Sequence, residues 1–386
     1  MVVYAPKKIR NKIVSPLKVF IADSRSTGII LIACTILSLT ISNLSFGQDY
    51  VAFWQQKLCF TQILHLPENY LHIINDGLMS IFFLLVGLEI KRELLIGEIS
   101  QLKKALLPII AAIGGMVIPA LIYLAFCSSS SFSNGWGIPI ATDIVFSLAI
   151  LSLLGNRVPL SLKIFLMALA IIDDLGGIVT IALFYAVAIN WSYVLLSFVI
   201  SFLMYFLGKK KYLWLHFLTG IVLWYFLYNS GIHPTIAGVI FAMTFPLSSI
   251  EMLERKLHFP VNFLILPLFV LANTTLIFPG NFTTIFHSKV ALGIFFGLVV
   301  GKPLGIVLFS WLSVRLKMAT LPHGVRWQQL IGVGIVAGIG FTISIFIATL
   351  AFQGNEQQTI AKMAVLMSSV VAAILGYVFL SKQKST

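Results

Sequence analysis

The sequence predicts an all-α integral membrane protein of about twelve transmembrane helices, and three observations predict it. Charged residues make up 10% of the chain and hydrophobic ones 59%, whereas a soluble domain carries roughly 25% charged residues. Apolar stretches of nearly twenty residues recur from one end to the other, the length that matches a hydrocarbon core of about 30 Å. The 26 Lys and Arg residues gather in alternate short loops between those stretches, as the charge asymmetry of membrane topology requires.

The apolar windows fall near 27–46, 72–90, 105–126, 136–155, 159–186, 190–208, 212–228, 231–247, 259–278, 290–311, 329–351 and 359–380. The first is too long for the apolar core of a signal peptide. It follows a basic segment, 1–26, with Lys7, Lys8, Arg10, Lys12, Lys18 and Arg25, and reads as a retained helix entered from the cytoplasm. The loop 47–71 holds Tyr50, Val51, Phe53 and Trp54 and is either a short hairpin or irregular. The fifth window holds a tilted helix and part of its exit loop. Counted from inside, 22 of the 26 basic residues fall on one side, which places both termini in the cytoplasm. Lys57 and Lys289 lie outside, Lys362 sits at the outer end of the last span, and Lys302 is the one basic residue deep in a span. No linker or low-complexity tract interrupts the chain, so a single polytopic domain covers 27–381, with a cytoplasmic tail at 382–386.

A net charge of +13 and a pI near 9.7 suit a nucleic-acid binder at first sight. The distribution of the basic residues between apolar spans excludes that, and the partner it implies is membrane lipid. Cys34, Cys59 and Cys127 are too few and too scattered for a disulfide framework or a zinc site.

A charge at the bilayer centre is expensive, so one found there faces protein or water and serves a purpose. Asp76, Asp143, Asp173 and Asp174 lie within spans, with Glu89 at a helix end. Asp173 and Asp174 are midway along the fifth window. Neighbouring helical residues point about 100° apart, so one can line a cavity while the other reaches a different neighbour. Two carboxylates this close in a poorly hydrated site repel, and a proton or a hard cation held by their oxygens relieves the repulsion. That competition is the chemistry an antiporter needs; helix-helix glue by buried hydrogen bonds is the alternative. Lys302 needs a counter-charge, which the Asp pair supplies at matching depth, unless it snorkels to the interface. Pro303 disturbs the helix at that point.

Thr142 and Asp143 follow Gly137 and Pro139 in the fourth window, and the eleventh carries Gly332, Gly334, Gly338 and Gly340. Spans three to five and ten to twelve read as inverted-topology repeats whose middle members, four and eleven, are broken and cross at the transport site. Close helix packing is the other use of a glycine-rich span. Glu89 and Glu93 are four residues apart beside Lys91 and Arg92, a cation-attracting vestibule or a solvated helix end. His233, before Pro234, is a titrating group or a cap.

The stretches Asn75-Asp76, Gly87-Leu88-Glu89-Ile90-Lys91-Arg92-Glu93, Ala141-Thr142-Asp143-Ile144, Ala170-Ile171-Ile172-Asp173-Asp174-Leu175-Gly176, Gly301-Lys302-Pro303-Leu304-Gly305 and Gly338-Ile339-Gly340-Phe341-Thr342 together resemble the NhaA sodium/proton antiporters. That family is itself a reference case for inverted repeats and broken helices. The resemblance implies exchange of one cytoplasmic Na⁺ or Li⁺ for two external protons in a bacterial inner membrane, with no cofactor, in pH and sodium homeostasis. It assigns Asp174, with Asp173 and Thr142, to the ion, pairs Asp173 with Lys302, and gives Asp143 to the helix crossing. Glu89, Glu93, His233 and Glu254 match positions linked to pH response. Where the family commonly has His after Leu-Glu, this chain has Arg255, which cannot titrate. The segment after the first span resembles, loosely, a hairpin that pairs two protomers, so a homodimer is expected.

A channel would share the intramembrane charges but needs a continuous pore. An intramembrane aspartyl protease commonly carries Gly-x-Gly-Asp, which is absent from the sequence. A sodium-coupled symporter of related fold is the nearest rival.

Overall fold

The computed structural model describes residues 7–58, 65–97, 100–128, 132–186, 188–209, 213–278, 287–352 and 356–383. Cys59, Lys210, Lys211 and Lys384 lie outside them. Among the described residues nine helices are long and apolar enough to cross a membrane, and a tenth crossing is a helix pair bent by 46°, Trp327–Val336 with Phe341–Ala351. The seventh window is the shorter apolar helix Leu213–Tyr228. The eighth is the nine-residue Ile236–Thr244, bracketed by Pro234 and Pro246, each of which restricts the residue before it. Each of the twelve windows thus contains helix, and the protein is an all-α multi-pass membrane protein.

The first and ninth helices begin about a dozen residues or more before their windows because polar residues continue them past the bilayer. The first runs Lys7–Ser42, so the basic segment is helical from Lys7 onward and continuous with the span. The ninth span, Leu247–Asn273, starts about a dozen residues before its window. Gly47–Gln55 is a further helix, and Lys57 pairs with Asn69 in an isolated antiparallel bridge.

Three spans contain a turn of π-helix: Ile73–Leu78, Val261–Ile265 and Gly297–Gly301. Pro267 and Pro303 follow two of them, and a proline removes the N–H and crowds the carbonyl four residues back. Nothing local accounts for the turn at Ile73–Leu78. All three adjoin buried polar side chains, namely Asn75, Asn262 and Lys302, in keeping with the use of such bulges at functional sites.

The third span, Lys104–Phe126, and the tenth, Lys289–Arg315, touch backbone to backbone. A Cβ added to Gly114 would strike the Gly305 carbonyl oxygen, and one added to Gly305 would strike that of Gly114. Small residues let membrane helices approach this closely. The reciprocity is what a local two-fold relation between the third and tenth spans produces.

Candidate functional site

The fourth span, Ser133–Leu153, is not one helix. Ser133–Ile140 is a 3₁₀ segment, Ala141 and Asp143 are extended, and α-helix resumes at Ile144. Pro139 cannot donate within the turn, and the Asp143 carboxylate caps the new helix by accepting the Phe146 N–H at 3.1 Å. The eleventh span breaks across Ala337–Gly340, where a Cβ on Gly338 would strike the Leu298 carbonyl.

The two breaks satisfy each other. The Asp143 N–H donates to the Ile339 carbonyl at 2.7 Å, and the Thr142 hydroxyl lies 3.0 Å from that of Ala337. In return, the Thr342 N–H and hydroxyl donate to Asp143 Oδ2 at 3.1 and 2.7 Å, and the Ser344 hydroxyl donates to the Ile138 carbonyl at 2.7 Å. Unpartnered backbone groups cost several kcal/mol each in an apolar medium, so this exchange of partners is what makes the interruption tolerable.

The fifth span, Leu160–Phe184, brings Asp173 and Asp174 to the crossing. Asp173 Oδ2 is 2.7 Å from Lys302 Nζ, both side chains wholly buried, and accepts from the Thr142 hydroxyl at 2.8 Å. The ammonium also donates to the Ile140 carbonyl, freed by the break in the fourth span. Asp174, around the helix, faces a cavity of about 40 Å³ that Thr142, Asp143, Thr342, Glu89 and Asn262 also line. That volume holds a few waters or a small cation. Oδ1 of Asp173 and of Asp174 are buried with no hydrogen-bond partner. Both oxygens of Asp143 are engaged, so the free acidic oxygen on the cavity near the crossing is that of Asp174. Among the described residues no three His, Cys, Asp or Glu side chains form a metal cluster; a cation here would be cargo held by few charges, with hydroxyl and amide oxygens alongside.

Asp173, Asp174, Thr142, Asp143 and Lys302 are therefore brought together. Glu89 lies on the same cavity, and Arg92, three residues further along the second span, holds its guanidinium 3.1 Å from both Glu93 and Glu254. His233 stands apart from that group: its Nε2 is 3.7 Å from Asp76 Oδ1 and its Nδ1 3.1 Å from the Thr235 hydroxyl.

Lys302 is not alone among the buried lysines of the described residues: Lys163 is 9% and Lys362 6% exposed, and Lys362, one to two turns from the start of its helix at the expected end of the last span, reaches Asn273. Sequence reasoning also passed over Arg92 as the hub between Glu93 and Glu254. It passed over Lys91, whose ammonium reaches the Ala242, Met243 and Phe245 carbonyls at 3.3, 2.7 and 2.6 Å. The amides Asn75, Asn262 and Asn273, unusual within apolar spans, are the signal that would have drawn attention to the polar interior.

Comparison with known proteins follows this geometry. The model of the family described as Na⁺/H⁺ antiporter 1 matches residues 18–380. The chain is 47% identical over 377 residues to the Na⁺/H⁺ antiporter NhaA of Cytophaga hutchinsonii, covering 96% of each chain. It is 48% identical over 373 residues to NhaA 2 of Flavobacterium johnsoniae, covering 94% of this chain and 91% of the relative. With NhaA of Citrobacter koseri it shares 47% identity over 379 residues, covering 95% and 98%. The chain belongs to the Na⁺/H⁺ antiporter 1 family.

Proposed function

We propose that this chain is a secondary active transporter, not an enzyme, that exchanges cytoplasmic Na⁺ or Li⁺ for external protons across a bacterial inner membrane, two H⁺ per Na⁺. The observation that carries the reading is the unpartnered Asp174 oxygen on a cavity next to the buried Asp173–Lys302 pair. Glu89 marks the cavity's approach from the end of the second span that carries Lys91 and Arg92, the side the positive charges assign to the cytoplasm.

A cation entering there meets Asp174 first, with the Thr142 hydroxyl and Asp173 as further oxygen ligands. Drawing Asp173 to the ion strips Lys302 of its carboxylate in a low-dielectric site, and an abandoned buried partner is costly. The loaded state is thereby set apart from the resting one, and protons returning from the other side restore it. One proton rides on Asp174 and the second on the Asp173–Lys302 pair. Each turnover then moves one net positive charge inward, for which the membrane potential supplies about 2.3 kcal/mol per 100 mV. Arg92, with Glu93 and Glu254, adjusts the cavity mouth to pH, and His233 acts separately through Asp76. Both termini are cytoplasmic, and a homodimer forms through the segment 47–71.

Asp174→Asn tests the assignment, because it keeps shape and loses charge. Na⁺-driven proton movement in proteoliposomes and Na⁺ binding should both vanish while the protein remains folded in detergent. Coupled exchange that survives the substitution would remove Asp174 from the ion's path.

A further inference from the structure

Four spans meet at a polar knot near their ends opposite the basic loops, and the exchange cycle above makes no use of it. Asn273, the last residue of the ninth span, and Asn75, on the second, form a reciprocal amide pair. Asn273 Nδ2 donates to Asn75 Oδ1 at 2.8 Å, and Asn75 Nδ2 to Asn273 Oδ1 at 3.4 Å. The same Asn273 oxygen accepts from Lys362 Nζ of the twelfth span at 3.3 Å and lies 3.5 Å from the Thr349 hydroxyl of the eleventh, which is 2.9 Å from the Ile345 carbonyl. Deeper along the spans the Phe346 ring packs against those of Phe83, Phe269 and His233. The knot therefore sits over an aromatic plug.

Lys362 differs from Lys302 in its surroundings. Among the described residues no carboxylate lies within ion-pair distance of it, and its polar partner is a neutral oxygen shared with two other donors. Burial removes the ammonium's hydration, and one shared amide oxygen does not replace it. The charge opposes the packed knot and favours any arrangement in which water reaches it.

We propose that Lys362 is a positioning residue of the exchange cycle, whose uncompensated ammonium biases the knot of Asn75, Asn273 and Thr349 toward parting, so that the path opposite the Asp174 cavity opens. This inference rests on the alternating exchange proposed above.

The test follows opening rather than transport. In a chain with Cys34, Cys59 and Cys127 replaced by Ser, Ala348→Cys places a thiol at a fully buried position beside Thr349. A membrane-impermeant maleimide added from outside labels it only when that side opens. Lys362→Met should slow labelling by about tenfold or more, because the desolvation of a buried ammonium that one shared oxygen does not offset is larger than that step. Lys362→Gln, which removes the charge and keeps a donor for the Asn273 oxygen, should slow it likewise, and Asn273→Leu should speed it. A role in packing alone would not divide the variants by sign in this way. Labelling of Lys362→Met at the parent's rate or faster would overturn the proposal; if that variant fails to fold, undiminished labelling of Lys362→Gln does the same. A parent that never labels, with or without Na⁺, would instead overturn alternating exchange, and this inference with it.

Discussion

Lys302 Nζ lies 2.7 Å from Asp173 Oδ2, and neither side chain has any solvent exposure. The contact joins the fifth span to the tenth at the point where the fourth is broken, because the same ammonium takes up the Ile140 carbonyl. Removing one partner of a buried pair is destabilising by about 3–5 kcal/mol. Lys302→Ala should accordingly lower the thermal unfolding midpoint in detergent and disturb exchange. Asp173→Asn/Lys302→Gln, which leaves no orphaned charge, should recover much of the stability but not the coupling. A Lys302→Ala protein as stable as the parent, still moving charge with each Na⁺ at the parent's ratio, would show the pair to be incidental.

Asp143 joins the two crossing helices, accepting from Phe146 on one and from Thr342 twice on the other. Asp143→Ala orphans these buried donors, each worth roughly 1–3 kcal/mol. Loss of Na⁺-driven proton flux together with a large fall in unfolding midpoint is expected, and Asp143→Asn, which keeps one carbonyl oxygen, should fall between. Equal behaviour of the two variants would mean that charge rather than hydrogen bonding holds the crossing.

Lys91 binds three carbonyls at and beyond the end of the short helix Ile236–Thr244, in the manner of a C-terminal cap. Lys91→Met should destabilise by about 1–3 kcal/mol, read as a lower unfolding midpoint, with the apparent Na⁺ affinity little changed.

Gly305 meets the Gly114 carbonyl where the third and tenth spans cross, one turn from Lys302. Gly305→Val should separate the helices and abolish exchange. Gly77→Ala, where an added Cβ meets nothing within 4 Å, should be tolerated; a functional Gly305→Val would show that the close approach is dispensable.

Topology is open to a direct check. A cysteine introduced at Ser385 should be protected from an impermeant reagent outside the cell, and one at Ser129 should react. The reverse pattern would invert the orientation drawn from the basic loops.

Much of this architecture is legible in the sequence because lipid imposes it. A span must be long and apolar, so its charges stand out, and Asp173, Asp174 and Lys302 declare themselves by their setting. Pro139 and the run from Gly332 to Gly340 announce the breaks for the same reason. What could not be read depends on packing between distant segments. Lys362 resembles a snorkelling residue until the helices around it are in place, and Arg92 is one charge among several until the ninth span brings Glu254 to it. The Ile140 carbonyl as a partner of Lys302 has no sequence signal, since any residue carries that oxygen. Hydropathy likewise does not register that Pro246 follows the end of the helix within the eighth window, Ile236–Thr244.

The mutual satisfaction of the two broken spans also constrains how the chain is made. Thr142 and the Ala337 carbonyl it serves are 195 residues apart. At about 5–20 residues per second, translation takes roughly 10–40 s to cover that distance. For that interval the fourth span is in or beside the bilayer with its break unsealed, relying on water, lipid headgroups or the insertion machinery for hydrogen bonds. Insertion in order of synthesis therefore cannot complete the crossing, which closes only when the eleventh span arrives.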